Sequence, residues 1–333
     1  MKIAAISFTE RGHALGRRLA ELLPEHELAL FAGLGPRGSL AELVAEVWGG
    51  FDALVFICAA GIAVRGIAPL IEKKDRDPAV LVADEAGRFV IPLLSGHIGG
   101  ANRLAARLAD ALGAAAVITT ATDINGVFAA DTWAAEHNCA IADTREIKHI
   151  SAALLRGESV SFRSDFPVTG ELPQGLTERG DAECGIVIST RRERRDFPHT
   201  LHLIPRTAHL GAGCRRGAAA QSVIALARAA LEDADIHSAA VAAVASVDLK
   251  SDEPAISELA RAFSAPLAFY SAAELAAAEG EFSESDFVKS TVGVGNVCER
   301  AAVLSSGGEL QVKKTAGNGA TVAVAVCDWE AVF

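Results

Sequence analysis

The residues best suited to chemistry lie in LLSGHIGGANR (93–103), where an apolar run meets a helical pattern. Ser95, His97 and Asn102 stand there among three glycines. A neutral imidazole in such a turn could take a proton from water or a hydroxyl, and a positioned acid or base contributes about 10²–10⁴ in rate. The structural alternative is that Ser95 caps the helix and His97 bonds a backbone carbonyl. Ser95 is not a candidate esterase nucleophile, because the G-x-S-x-G elbow is absent.

A second candidate is GAGCRRG (211–217), between a predicted strand and a predicted helix. Its glycine spacing is a loose form of the dinucleotide-binding fingerprint, with Asp248 as the acid after the next strand, although Lys250 follows it. Arg215 and Arg216 at a helix amino terminus would instead favour carboxylates or phosphates. The alternative for these two residues is a pair of surface arginines.

Further titratable residues occur near the ends of other predicted strands. Taken singly, the lysines and acids fit a solvated loop as well as a site, Cys298 fits packing and Glu299 fits a helix cap. These residues are Arg65, Lys73, Lys74, Arg76, Asp84, Glu85, Asp123, Cys298 and Glu299.

Composition excludes several classes of protein. Half of the 333 residues are apolar, which allows substantial buried cores, and no apolar run is long enough to span a membrane. A formal net charge of -11 disfavours nucleic-acid binding. The amino-terminal apolar stretch is too short for a signal peptide, so we expect a cytoplasmic protein. Six scattered cysteines without a CxxC pair indicate neither a zinc site nor a disulfide framework.

The order of the predicted elements is typical of layered α/β proteins. We predict two α/β domains with mostly parallel sheets, residues 1–124 and 201–333. A smaller middle domain and linker, residues 125–200, joins them, because periodicity weakens there and proline and glycine increase. A strand-like run over 201–214 opens the last domain, and a hairpin that turns around Gly317–Gly319 closes it.

Taken together, these stretches resemble a known family. The run from Phe56 to Asp123 is similar to the amino-terminal domain of the cobalamin-biosynthesis protein CbiG. HLGAGCRRG, SVDLKSDE and FVKSTVGVGNVCERAAVLSSGG are similar to its carboxyl-terminal domain. The likeness covers roughly residues 51–125 and 201–330, and the middle segment shows none. Where the family pattern has threonine after GCRRG, Ala218 stands here, so no hydroxyl contact is expected at that position.

The resemblance implies a cobalt-precorrin-5A hydrolase of oxygen-independent cobalamin (vitamin B12) biosynthesis. Such an enzyme opens a δ-lactone between the ring A acetate and the two-carbon unit at C20 and releases acetaldehyde to give cobalt-precorrin-5B. The cobalt arrives with the substrate, so neither a cofactor nor a protein metal site is implied. The substrate is a tetrapyrrole edged with carboxylates, which local arginines and backbone amides can bind.

The resemblance also implies roles for individual residues at the matching positions of this sequence. His97 is the predicted base, the amides of Gly99 and Gly100 are the predicted oxyanion donors, and Glu299 or Asp84 is the predicted second acid or base. The residues assigned to substrate binding are Gly61, Arg65, Ser95, Gly96, Gly99, Gly100, Asn102, Gly213, Arg215, Arg216, Gly293, Gly295 and Asn296.

Two other functions remain open at the level of sequence. A non-catalytic tetrapyrrole carrier or scaffold of the same pathway would need the arginines but not His97. A nucleotide-binding oxidoreductase would use GAGCRRG and bind a nicotinamide cofactor. The expected partners are the anionic cobalt-bearing tetrapyrrole and no nucleic acid or membrane, with a homodimer or transient contacts with other corrin-pathway enzymes as options.

Overall fold

The computed structural model describes residues 1–34, 38–73, 76–97, 99–180 and 182–333. The candidate Lys74 lies outside the described residues. The chain divides into two compact units, Met1–Trp133 and Ala134–Phe333. None of the helices among the described residues combines the length and apolarity needed to cross a membrane.

The first unit is built on one six-stranded sheet with the order β2-β1-β3-β4-β5-β6. The first four strands are parallel, β5 runs antiparallel to β4, and β6 is parallel to β5. The strands are β1 Lys2–Ser7, β2 Glu27–Ala32, β3 Ala53–Ile57, β4 Ala79–Ala83, β5 Phe89–Leu94 and β6 Ala115–Ala116.

Helices cover both faces of this sheet, which is why β3 and β4 are buried along their whole length. Leu19 and Leu108 pack in the core on one face, and Val44 and Ile67 pack in the core on the other. The helices are α1 Glu10–Leu22, α2 Leu40–Trp48, α3 Ala60–Ile67, α4 Ala101–Leu112 and α5 Ala121–Ile124, and α6 Ala130–Glu136 spans the division between the units.

The direction of β5 separates two of the glycine-rich turns. Because β4 and β5 form a hairpin, Leu94 at the end of β5 pairs with Val80 at the start of β4. The turn at 59–69 follows β3 at the opposite edge, where Ile57 pairs with Ala83. The two turns therefore lie at opposite edges of the sheet.

The second unit contains two five-stranded sheets. The first has the order β10-β8-β11-β12-β7, and only β7 is antiparallel to its neighbour. Its strands are β7 Cys139–Ile141, β8 Val160–Ser164, β10 Leu176–Thr177, β11 Cys184–Ile188 and β12 His199–Pro205. Helix α7, Ile147–Leu155, packs on it through buried Ile150 and Leu154. The short strand β9, Val168–Thr169, pairs with β18, Ala331–Val332.

The second sheet of this unit has the order β15-β14-β13-β17-β16. Its strands are β13 Ala208–Cys214, β14 Val241–Val247, β15 Leu267–Tyr270, β16 Glu309–Gly317 and β17 Ala320–Val326. Its helices are α8 Ala220–Asp233, α9 Pro254–Ala262, α10 Ala272–Ala277, α11 Asp286–Val292 and α12 Cys298–Ser306. The predicted closing hairpin is confirmed: β16 and β17 are antiparallel, and Asn318 and Gly319 turn between them with φ of 50° and 75°.

The layered α/β class with mostly parallel sheets is confirmed. The run over 201–214, however, is two strands in different sheets, since β12 ends at Pro205 and β13 begins at Ala208. The sheets therefore divide a few residues beyond the predicted boundary at 201. Only Arg206 and Thr207 separate two apolar strands, so the hydrophobic pattern shows no break. The middle segment, predicted to be a smaller domain and a linker, carries most of a five-stranded sheet within the second unit.

Candidate functional site

His97 lies in the connection between β5 and α4, which is folded unusually tightly. Ser95 has a φ of +56° and Gly100 a φ of +79°, both in the left-handed region. A Cβ on Gly99 would collide with Ser95, whose carbonyl oxygen would be only 2.8 Å away. The glycines are therefore there because the backbone doubles back on itself, and this turn places His97 ahead of the amino terminus of α4.

The imidazole of His97 is held between two carboxylates. Its Nε2 lies 3.0 Å from Oδ2 of Asp123 and 3.1 Å from Oγ1 of Thr122, and its Nδ1 lies 3.4 Å from Oδ2 of Asp131. The Asn102 amide donates to the same Asp123 oxygen at 3.0 Å. We call these five residues the His97 cluster. All five belong to the first unit, and no hydrogen bond or ion pair among the described residues links them to Arg65 or Asp84.

The carboxylates decide the protonation state of His97. The pKa of His97 is raised from 6.5 to about 9, chiefly because the ring donates a hydrogen bond to Asp131; burial opposes the rise, and Asp123 contributes to it. Asp131 has the larger effect although Asp123 is closer, because its side chain is only 7% exposed against 36% and its charge is less screened by water. In turn, the hydrogen bond and charge of His97 outweigh burial and lower the pKa of Asp131.

His97 is therefore an imidazolium at neutral pH, with both ring nitrogens carrying protons. The raised pKa does not fit the expectation of a neutral imidazole that accepts a proton, and its main cause, the second carboxylate, had no signature in the sequence. An imidazolium donates hydrogen bonds and protons. The member of the cluster that can accept a proton and is open to solvent is the carboxylate of Asp123.

The neighbouring predicted residues are engaged in building the turn. The Ser95 hydroxyl donates to the carbonyl of Asp77 at 2.9 Å and is buried. A Cβ on Gly96 would lie 2.8 Å from Oδ1 of Asn102, so that position needs glycine. The Gly100 amide donates to the His97 carbonyl at 2.9 Å. Because this amide is already bonded, Gly100 does not fit its predicted role as an oxyanion donor.

Two other predicted residues of the first unit, Gly61 and Asp84, follow the ends of β3 and β4, at the opposite edge of the sheet. Asp84 closes the turn between β4 and β5 by accepting from the amides of Arg88 and Phe89, each at 2.7 Å. These bonds outweigh burial and lower the pKa of Asp84, so it suits a turn rather than a proton donor. Gly61 and Arg65 are exposed on α3.

The predicted binding residues of the last domain meet at one edge of its sheet. Gly213 ends β13, and the amide of Arg215 donates to the carbonyl of Gly319 at 2.9 Å, beside the hairpin turn. Arg216 pairs with Asp252 at 3.0 Å, and both side chains are well exposed. Because both arginines are exposed, their placement agrees with the predicted binding of an anion and equally with the alternative of two surface arginines.

Glu299 is the best-bonded carboxylate of the second unit. It is fully buried at the start of α12 and accepts from the amide and hydroxyl of Ser283, the amide of Lys314 and the side chain of Asn296, at 2.7–3.0 Å. In the same loop, a Cβ on Gly295 would displace the carboxylate of Glu284. Gly293 ends α11 with a φ of +91°. This bonding contradicts the predicted acid or base role of Glu299, because both of its oxygens are already occupied.

Sequence reasoning missed Asp131 and Thr122. Asp131 stands in the first turn of α6, where an acidic residue is typical of any helix start, so nothing in the sequence distinguished it. Asp123 was a candidate because it follows a predicted strand, and the structure joins it to His97. The chemistry of the cluster, one imidazolium between two carboxylates, suits proton transfer and the stabilisation of a developing negative charge.

Many enzymes combine an α/β fold with a cluster of histidine and carboxylate side chains, so these features alone do not identify the reaction. Comparison with known proteins narrows the class of enzyme. Three sequence models match: Cobalamin synthesis G N-terminal over residues 42–123, Cobalamin biosynthesis central region over 128–205, and Cobalamin synthesis G C-terminus over 208–325. The middle segment, in which the sequence showed no likeness, thus matches the corresponding region of the same proteins.

Relatives match along the whole chain. A cobalt-precorrin-5A hydrolase of Salmonella typhimurium is 37% identical over 97% of this chain and 97% of its own. A cobalt-precorrin-5A hydrolase of Priestia megaterium is 26% identical over 98% and 95%. A solved cobalamin biosynthesis protein G homologue from Sulfolobus solfataricus covers 98% of this chain and 97% of its own, at 23% identity and a TM-score of 0.44. The chain belongs to the cobalamin synthesis protein G family.

Proposed function

We propose that this protein is a cobalt-precorrin-5A hydrolase of cobalamin biosynthesis. The observation that carries the proposal is the match along 97% of the chain to a curated enzyme of that name, with 37% identity. The His97 cluster supplies groups suited to the reaction. The cobalt is part of the substrate in this proposal, and the reaction steps use only protons and water.

In the proposed first step, water attacks the carbonyl of the δ-lactone. Asp123 takes the proton of the water, and the imidazolium of His97 donates to the oxygen on which negative charge develops. The tetrahedral intermediate then breaks its bond to the ring oxygen, which leaves as an alcohol after protonation. The products of this step are the ring A carboxylate and a free hydroxyl on C20, which together with its methyl group is the two-carbon unit.

In the proposed second step, that alcohol loses its proton and becomes the carbonyl of acetaldehyde. The bond between C20 and the macrocycle breaks, and its electron pair enters the conjugated system of the macrocycle, which is then protonated. Asp123 can take the alcohol proton, and His97 can return one. Asp131 does not touch the substrate in this scheme; it holds the charge of His97 in place.

The test is an anaerobic incubation of purified protein with cobalt-precorrin-5A, in which acetaldehyde and the mass of the tetrapyrrole are measured. We expect acetaldehyde from the natural protein and from His26→Ala, a matched control on the surface. His97→Ala should abolish turnover and leave substrate binding largely intact. Asp123→Asn should lower the rate by about 10²–10⁴.

Two results would contradict the proposal. If the natural protein binds the tetrapyrrole and releases no acetaldehyde, the protein is a carrier and His97 only builds the turn. If His97→Ala and Asp123→Asn both turn over at the natural rate, the reaction takes place elsewhere on the chain.

A further inference from the structure

The middle sheet carries a group of metal-ligating side chains that the proposed reaction does not use. Glu146 and His149 stand at the start of α7, and His199 is the first residue of β12. One ligand atom from each of the three lies within 4.8 Å of the others. Nδ1 of His199 is 3.2 Å from Oε2 of Glu146, and the two imidazoles stack with ring centroids 3.8 Å apart.

We propose that Glu146, His149 and His199 bind a divalent transition-metal ion of the zinc type. Two imidazole nitrogens and one carboxylate oxygen suit Zn²⁺, Co²⁺ and Ni²⁺ better than Mg²⁺ or Ca²⁺, which prefer oxygen alone. Three protein ligands leave at least one position for water or a small ligand. The spacing Glu-x-x-His places the first two ligands one helical turn apart on the same face.

The backbone that carries these ligands is well fixed. The amides of His149 and Ile150 both donate to the carbonyl of Glu146 at the start of α7, and Ile150 is buried in the core. The amide of His199 donates to the carbonyl of Glu183 at 2.9 Å, and His199 pairs with Cys184 across parallel strands. The backbone positions of the three ligands are therefore fixed before any ion binds, which lowers the entropic cost of binding.

A cavity of about 140 Å³ borders the two histidines. Its lining also includes the carboxylates of Glu158 and Glu183, whereas its one arginine, Arg156, already pairs with Glu158 at 2.6 Å. With Glu146 beside it, this surface carries an excess of negative charge, which attracts a cation. The side chains of Glu146 and His199 are 25% and 34% exposed, so an ion can reach them from solvent.

Binding changes the arrangement of the rings. A metal ion lies in the plane of each imidazole that binds it, and the two ring planes are now nearly parallel, at 11°. One ring therefore turns out of the stack about its side-chain torsions when the ion enters. The separation of the two stacked rings therefore gives a signal of ion binding that can be measured.

The experiment uses the full-length protein, treated with a chelator and then titrated with Zn²⁺ or Co²⁺ alone. Calorimetry gives the stoichiometry and affinity, Co²⁺ gives a visible absorption band, and NMR follows the imidazole protons. We expect one ion per chain, with the resonances of His149 and His199 shifting together. Loss of even an outer partner of a metal ligand typically costs 10–100-fold in affinity, so His149→Ala and His199→Ala should each weaken binding at least about 10²-fold.

The control variant is His26→Ala, which lies at the surface near the amino terminus and should bind the ion like the natural protein. Circular dichroism confirms that each variant is folded, and His149→Gln and His199→Gln replace any alanine variant that is not. Failure of the natural protein to bind either ion overturns the proposal. Binding that persists unchanged in both histidine variants also overturns it, because the ion would then sit on other side chains such as the free cysteines.

Discussion

The replacement of Asp131 by asparagine tests the charge arrangement of the His97 cluster. The variant keeps a side chain of nearly the same size and removes the group that most raises the pKa of His97. An opposite charge within hydrogen-bond reach typically shifts a pKa by 1–3 units. We therefore expect the pKa of His97 to fall from about 9 by at least about one unit in Asp131→Asn.

The same shift fixes the sign and size of an effect on stability. The pKa of His97 is raised on folding from 6.5 to about 9, so the folded state binds its proton more tightly. At 1.36 kcal/mol per unit, this contributes about 3 kcal/mol to the free energy of unfolding. The contribution is fully present below pH 6.5, amounts to about 2 kcal/mol at pH 7.5, and is lost as the pH rises through about 9.

The assay is an NMR titration of the imidazole protons between pH 5 and 10, with His97→Gln to assign the resonance. Denaturant unfolding at several pH values measures stability in parallel. Asp131→Asn should be less stable than the natural protein by about 1–2 kcal/mol at pH 7.5, and the difference should shrink towards pH 10. The control is Asp110→Asn, an exposed carboxylate on α4. The reasoning is refuted if His97 of the natural protein titrates near 6.5, or if His97 has the same pKa in the natural protein and in Asp131→Asn.

Two further predictions concern stability alone. Gly99→Ala should cost about 1–3 kcal/mol because its Cβ has no room beside Ser95, whereas Gly61→Ala, with nothing within 4 Å, should cost nothing; equal melting temperatures would contradict the close approach. Glu299→Gln should cost about 2–5 kcal/mol, because the amide cannot accept from all four donors, whereas the exposed Glu309→Gln should leave the denaturant midpoint unchanged. If the denaturant midpoint of Glu299→Gln equals that of the natural protein, this carboxylate is not needed as an acceptor.

The sequence allowed much of the fold to be predicted, because continuous apolar runs such as β3 and the glycine turn at Gly319 have local signatures. It did not reveal the edge of the sheet at which each turn lies. That β5 turns back along β4, and so brings His97 to the edge where β4 begins, depends on pairing that only the folded sheet shows.

Parts of the site were predictable to different degrees. His97 could be selected because a titratable residue between glycines is unusual, and Asp123 because it follows a strand. The protonation state could not be predicted, since it depends on Asp131, which is brought close by the path of the chain after α5. Glu299 looked like a possible acid because its position in the sequence says nothing of the four donors that surround it.

The pairing of β9 with β18 has a consequence for the order of folding during synthesis. The first unit contains all of its own strands once residue 133 has been made, so it can fold early. In the second unit, Val168 and Thr169 must wait for Ala331 and Val332, which at 5–20 residues per second are made roughly 10–30 s later. Strand β9 therefore stays without its pairing partner for most of translation, and chaperones that bind nascent chains would meet it in that state.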